Sequence, residues 1–196
     1  MSGLKATSMI ESCGGGSVVH LDDFVSCLEA AVWFDSIQVY RMSSLETLPT
    51  GMVAVGGFYS DEEGIELALY VDQNTDEIDE SMHSIEDLVE EVKLTLLHES
   101  VHRNQSSIRS YSDGYRQKRV NMSDPVQYLG HYDEIDAYGR VDLAVFVQKD
   151  GWEAAFRDPL SILSRYIKTF GKDSKVVKKV IKKAYLSDVG KKWKIA

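Results

Sequence analysis

Two histidines and a glutamate stand close together in the segment His98-Glu99-Ser100-Val101-His102. In an α-helix, which advances about 100° per residue, side chains four positions apart lie about 40° from each other. His98 and His102 would therefore share a face, and two imidazoles one turn apart can bind one Zn²⁺ ion. Glu99 falls on the same side, where its carboxylate can serve as a base toward a metal-bound water. This spacing indicates catalytic zinc chemistry, provided that the segment is helical and a third ligand is present.

The rest of the sequence narrows the choice of that third ligand, since catalytic zinc usually takes three protein ligands and a water. An HExxHxxGxxH site would need glycine at position 105 and histidine at 108, but Gln105 and Ile108 stand there. The only cysteines, Cys13 and Cys27, precede the motif and could make one bridge at most. The remaining candidates are carboxylates and His131.

The helix that must carry the motif is predicted to begin at Ser84, where Asp87 supplies a capping partner. Its apolar residues form two faces that flank the histidines: Ile85, Leu88, Val89, Val92 and Leu96 on one side, and Leu94, Leu97 and Val101 on the other. A helix that is apolar on two flanks is buried, and its ligands emerge between them. The pattern therefore predicts a buried helix that presents the motif.

The segments before this helix predict a short helix and a small sheet. Residues 21–32 have helical spacing. Strand candidates follow at 33–42, 52–59 and 65–71, the last two joined by a loop of hairpin character, and residues 72–83 read as an acidic loop. Gly56-Gly57 in the second strand indicates a bulge or a close backbone approach. We expect an α+β fold with a small, mainly antiparallel sheet packed on the motif helix and on a ligand helix.

After the motif, the sequence predicts a polar loop over residues 104–123 and then helices. Asp124-Pro125 is a helix start signal. A helix is also expected over 133–148, with Glu134 in its first or second turn. Apolar stripes predict two further helices before the C-terminus, separated by Gly171.

The segment Tyr128-Leu129-Gly130-His131-Tyr132-Asp133-Glu134-Ile135-Asp136-Ala137-Tyr138 contains an E-x-(D/E)-A-x core. With the upstream motif, it resembles small gluzincin-type HExxH zinc metallopeptidases, such as the ImmA/IrrE-like peptidases and the HExxH proteins encoded by bacteriophages. The resemblance covers residues 84–148 and implies that Glu134 is the third zinc ligand. Several gluzincins place an aspartate four residues after this ligand to orient a histidine, but here the position holds Tyr138, a weaker acceptor.

The resemblance and the motif together imply a zinc-dependent hydrolase of peptide or amide bonds. Zinc would acidify its bound water and polarise the carbonyl, while Glu99 takes the water proton and passes it to the leaving amine. An oxyanion donor is also needed. Tyr128, Tyr132, Tyr138 and His131 are candidates because they lie near Glu134 in sequence, and Tyr128 and Tyr132 are the predicted catalytic residues. A strand within residues 52–71 could align an extended substrate.

A second hypothesis is a non-catalytic zinc protein, such as a structural or interaction protein, a phage virion component or a regulator. A structural zinc site is closed by a fourth protein ligand. The candidates for closing the site are Asp113, Asp136 and His131.

Charge is distributed unevenly along the chain, whose net charge is −9. Residues 168–196 carry ten lysines against Asp173 and Asp188, whereas residues 1–167 carry 12 basic and 29 acidic residues. An acidic body argues against general nucleic-acid binding, which needs a positive face that only the tail could offer. A third hypothesis is therefore binding of nucleic acid or another anion through residues 168–196. The expected partners are a protein or peptide substrate and, through the basic C-terminal helices, another copy of the chain or a virion assembly partner.

Domain organisation is predicted as a flexible arm over residues 1–17, a zincin-like metallopeptidase domain over 18–150, and a basic helical extension over 151–196 packed on the same domain. No run of 18 apolar residues and no secretory signal core occur in the sequence. We therefore expect no membrane association and a cytoplasmic location, in the host cytoplasm or virion if the chain is phage-encoded.

Overall fold

The computed structural model describes residues 18–30, 34–43, 48–82, 84–109, 121 and 123–188. Helices and small sheets are mixed, with 58% helix and 20% strand, so the predicted α+β fold with a helical C-terminal segment is confirmed. The chain divides into two compact units, Met1–Arg103 and Asn104–Ala196. The domain boundaries expected at residues 17 and 150 stay predictions.

The first unit contains two small sheets. Its elements before the motif helix are β1 (Val18–His20), α1 (Leu21–Ala30), β2 (Ser36–Met42), β3 (Val53–Ser60), β4 (Gly64–Asp72) and β5 (Glu77–Asp79). The larger sheet has the order β2-β4-β3, in which β3 and β4 form the predicted antiparallel hairpin. The pairing of β2 with β4 is parallel, and β1 forms an antiparallel pair with β5. The stretch predicted as an acidic loop thus contains a short strand.

The core of the first unit lies against the central strand β4. Its odd-numbered side chains, including Leu67 and Leu69, belong to one buried cluster with Leu88, Val92 and Leu96 of the motif helix. The sequence of β4 is almost continuously apolar. This composition suits the central strand, which has a hydrogen-bonded neighbour on each side and whose inward side chains are covered.

The motif helix α2 spans Ile85–Arg109 and begins as predicted. The backbone N–H of Asp87 donates to Ser84 Oγ at 3.1 Å, and the Ser84 hydroxyl donates to the Asp87 carboxylate at 2.8 Å. The helix runs on past His102 to Arg109, into the region that was predicted as a loop. Polar composition favours a loop here, but the segment is helical to Arg109, and Gln105 and Ser106 are buried in it.

The second unit is helical. After the last residues of α2 come α3 (Pro125–Gly130), α4 (Tyr132–Tyr138), a π-helical turn (Gly139–Leu143), α5 (Ala144–Arg157), α6 (Ile162–Phe170) and α7 (Lys175–Leu186). The Asp124 carboxylate accepts from the N–H groups of Val126 and Gln127, which confirms the predicted start signal. A second apolar core holds these helices together around Leu129, Leu143, Leu163, Tyr166, Val177 and Val180.

Two further features concern the environment of the chain. Within the described ranges, no helix combines the length and the apolarity needed to cross a bilayer. Cys27, on α1, is disulfide-bonded, and Cys13 lies outside the described residues.

Candidate metal centre

The two motif histidines lie side by side on α2. The ring centroids of His98 and His102 are 5.0 Å apart, with an angle of 66° between the ring planes. His98 is buried, with 7% of its surface exposed, and His102 is half-buried. The helical spacing predicted for the pair is therefore present, with both rings adjacent on one face of the helix.

Glu99 is also buried, with 7% exposed, and it lies against the backbone of β3. A Cβ atom placed on Gly57 would stand 2.8 Å from Glu99 Cγ and 2.6 Å from Thr95 Cγ2. Real Cβ atoms do not come this close to other carbons, so β3 can pass here only because residue 57 is glycine. The close backbone approach predicted at Gly56-Gly57 is thus found at Gly57.

Glu134 occupies the first turn of α4, as predicted, and is 9% exposed. His131 is the N-cap of this helix, and its Nδ1 accepts from the backbone N–H of Asp133 at 3.4 Å. The His131 ring therefore helps to begin the helix that carries Glu134.

His98, His102 and Glu134 form one group that could hold a metal ion. Each offers one ligand atom, and these three atoms lie within 4.8 Å of one another. Two imidazole nitrogens and one carboxylate oxygen are a donor set that catalytic zinc sites use, so the residues fit zinc chemically. Among the described residues, neither His131 nor Asp136 belongs to this group.

Two of the candidate tyrosines are brought together beside Glu134. The hydroxyl oxygens of Tyr128 and Tyr138 are 3.2 Å apart. Burial raises the pKa of Tyr128 well above its ordinary value, as do the nearby charges and hydrogen bonds of Tyr138 and Glu134. Burial likewise raises the pKa of Tyr138 to about 12. Both phenols therefore stay protonated at neutral pH, so that Tyr128 can donate a hydrogen bond to Glu134.

Tyr132, the other tyrosine predicted to be catalytic, has a different environment. It is the first residue of α4 and is 40% exposed. Its ring lies 5.4 Å from the His131 ring, centroid to centroid. Its proposed part in catalysis stays a prediction.

Asp136 is surrounded by donors. Its carboxylate accepts from Arg140 Nε at 2.8 Å, from Gln105 Nε2 at 3.2 Å, and from Lys183. Burial raises the pKa of Asp136, but the hydrogen bonds from Lys183, Arg140 and Gln105 outweigh burial and hold the pKa below its ordinary value. Asp136 is thus an ionised carboxylate that already has three partners. Gln105 and Lys183 were not among the residues predicted for the site.

Comparisons with protein-family models, with curated proteins and with solved structures find no match to this chain. The chemistry assigned to the site therefore depends on its own residues and their arrangement.

Proposed function

We propose that this protein is a zinc-dependent peptide or amide hydrolase of gluzincin type. His98, His102 and Glu134 are the zinc ligands, and Glu99 is the general base. The observation that carries the proposal is the convergence of these three ligand atoms to within 4.8 Å, with Glu99 adjacent to His98 on the same helix.

The chain's own residues divide the work of catalysis. A bound zinc ion supplies Lewis-acid polarisation of the carbonyl and acidifies water. Glu99 accepts the proton of the attacking water on its carboxylate and returns it to the leaving amine. Tyr128, kept protonated by its buried surroundings, donates toward Glu134 and fixes that ligand's carboxylate. Tyr128 and Tyr132 stay the predicted catalytic residues, and with Tyr138 and His131 they are the candidates for stabilising the oxyanion.

The strand proposed to align an extended peptide substrate is β3, which lies within the predicted range 52–71. Among the described strands, β3 pairs with β4. Gly57 of β3 lies against Glu99, so a peptide added here would run close to the general base.

The decisive experiment is Glu99→Gln in the full chain, with Glu86→Gln as the matched control because Glu86 is exposed on the same helix. We expect both variants to keep one zinc per chain by elemental analysis. Hydrolysis of a mixed peptide library, followed by mass spectrometry, should fall about 10²- to 10⁴-fold for Glu99→Gln alone. Full hydrolysis by a zinc-loaded Glu99→Gln protein would contradict the mechanism, and a wild-type protein that takes up no zinc would contradict the site.

A zinc-bound crystal structure separates this enzyme from the non-catalytic zinc protein. A water in the fourth position supports the hydrolase, whereas a fourth protein ligand makes the site structural. The three donors around Asp136 favour the open site, because that carboxylate would have to leave them to reach the metal. Asp113, a further candidate for closing the site, lies outside the described residues.

The proposed partner is a peptide or protein substrate, and the basic C-terminal helices remain the proposed surface for another copy or an assembly partner. The cytoplasmic location also stays a prediction.

A further inference from the structure

Gln105 belongs to the same helical face as the motif histidines. It lies seven positions after His98, which places the two side chains about 20° apart around α2. Gln105 is 6% exposed. Its amide nitrogen donates to the backbone oxygen of Asp133 at 3.3 Å and to Asp136 Oδ2 at 3.2 Å. Gln105, on the helix that carries the histidines, is therefore bonded to the residue just before Glu134 and to the residue two positions after it.

Asp136 is in turn held by the elements that follow it. Arg140 donates from one turn later, at 2.8 Å, and Lys183 donates from α7. Lys183 also packs closely against Gly139. A Cβ atom placed on Gly139 would stand 2.5 Å from Lys183 Cβ. The Asp136 carboxylate thus joins α4 to α7 as well as to the end of α2.

We propose that Gln105 and Asp136 are positioning residues for Glu134. The Gln105 amide holds α4, and with it Glu134, against the last turns of α2, and Asp136 accepts one of its two hydrogen bonds. Two hydrogen bonds from one buried amide, to the residues on either side of the Glu134 position, fix both the place and the rotation of this short helix. The inference rests on the proposed function, because it concerns the ligand geometry of the zinc site.

The test measures binding of zinc and of cobalt to the full chain. Gln105→Leu removes both hydrogen bonds, and Gln105→Asn keeps an amide that is too short to reach Asp136. Ser107→Ala, exposed on the same helix, is the control. We expect both Gln105 variants to lose about 10- to 100-fold in zinc affinity. The visible absorption of bound Co²⁺ should also change, since it reports the ligand arrangement directly.

A rescue experiment separates positioning from general stability. Gln105→Glu should weaken zinc binding most, because it brings a second carboxylate against Asp136. Adding Asp136→Asn restores a donor–acceptor pair with the roles exchanged, and about tenfold of the lost affinity should return together with the wild-type cobalt spectrum. A role in stability alone would lower the melting temperature of the metal-free variants and leave the cobalt spectrum unchanged.

The outcomes separate this inference from the proposed function. If the wild-type protein binds neither zinc nor cobalt, the proposed metal site fails, and the inference fails with it. If the wild type binds both metals and the Gln105 variants match Ser107→Ala in affinity and spectrum, the positioning role alone is overturned.

Discussion

At the scale of single residues, the position of Glu99 depends on the presence of glycine at residue 57. Gly57 leaves room for the Glu99 side chain beside β3, and any other residue would place a carbon atom inside contact distance of Thr95 and Glu99. A general base must be held within a fraction of an ångström of the proton that it removes. The geometry of the proposed base therefore depends on a residue with no chemistry of its own.

Gly57→Ala should impair catalysis while leaving zinc in place. The new methyl group displaces Glu99, and a shift of about 1 Å in a catalytic group can lower the rate about 10²-fold. Gly56→Ala is the control, because its Cβ would meet Tyr70 at 3.0 Å and none of the three closest atoms belongs to Glu99. Peptide hydrolysis and zinc content are measured together. Equal activities for the two variants would show that Gly57 does not control Glu99.

Two buried tyrosine hydroxyls differ in their partners, which predicts opposite effects of removing them. Tyr166 is fully buried in the second core, and its hydroxyl has no hydrogen-bond partner among the described residues. Tyr166→Phe should leave stability unchanged or raise it by up to about 1 kcal/mol, because an unsatisfied buried hydroxyl is costly. Tyr138→Phe should lower stability by about 1 kcal/mol, since the hydrogen bond between the Tyr138 and Tyr128 hydroxyls is lost. Urea denaturation of both variants measures the difference, and a clearly destabilised Tyr166→Phe protein would contradict the prediction.

At the scale of elements, the ligand helix α4 passes without a loop into the π-helical turn and then α5. Such turns are short, and they change the direction in which later side chains project. Gly139 stands where this turn begins, and α7 crosses so closely that an added Cβ would meet both Lys183 Cβ and the Val180 carbonyl oxygen. The position of α7 on α4 therefore depends on this glycine.

Gly139→Ala should destabilise the second unit by about 1–3 kcal/mol, because the added methyl group meets backbone that cannot move alone. Gly130→Ala is a control of opposite sign. Its Cβ would lie at an ordinary 3.4 Å from the Phe170 ring, and alanine favours helix over glycine by up to about 1 kcal/mol. Chemical denaturation compares the two variants, and a Gly139→Ala protein as stable as the wild type would refute the close contact.

The elements that could be predicted from the sequence are those whose signals are local. The Ser84 cap, the Asp124-Pro125 start, the β3–β4 hairpin and the position of Glu134 in a first helical turn all follow from residues near one another in the chain. Each is set by a hydrogen bond or a hydrophobic period that spans only a few residues. The ligand spacing of His98 and His102 was predictable for the same reason.

The features that were not predicted depend on distant partners. The parallel pairing of β2 with β4 and the pairing of β1 with β5 have no signature in the strands themselves. The predicted end of α2 came too early, because the polar residues around Gln105 favour a loop. The partners of Gln105 are Asp133 and Asp136, which are distant in sequence. Tertiary contacts override weak local preference in such places.

At the scale of the whole molecule, the proposed zinc ligands come from two helices that are distant in sequence. His98 and His102 lie on α2 and Glu134 on α4. A metal that binds only when all three ligands are in place stabilises the folded chain through mass action. The basic C-terminal helices also make a contact within the chain, since Lys183 of α7 forms an ion pair with Asp136 on the ligand helix.

Zinc should therefore raise the melting temperature of the wild-type protein, with a stabilisation of about 2.7 kcal/mol at a zinc concentration one hundred times the Kd. Glu134→Ala should lose most of this shift. His131→Asn should keep it, because asparagine preserves the helix cap while the imidazole is removed. Thermal scans with zinc, and with magnesium as the metal control, measure the shifts. Loss of the zinc shift in His131→Asn alone would reassign the third ligand to His131.

The two motif histidines and Gln105 lie in the C-terminal half of α2, and the helix continues for one further turn to Arg109. Backbone hydrogen bonds of an α-helix join each residue to the one four places earlier, so the same ladder of bonds runs from Arg109 back through Gln105 to the histidines. Fraying of α2 from its end at Arg109 back to Gln105 loosens the same ladder of bonds that holds the backbone of His102. Slow local opening, of the kind that amide hydrogen exchange detects, would thus reach the histidines and the Glu134 anchor in a single event.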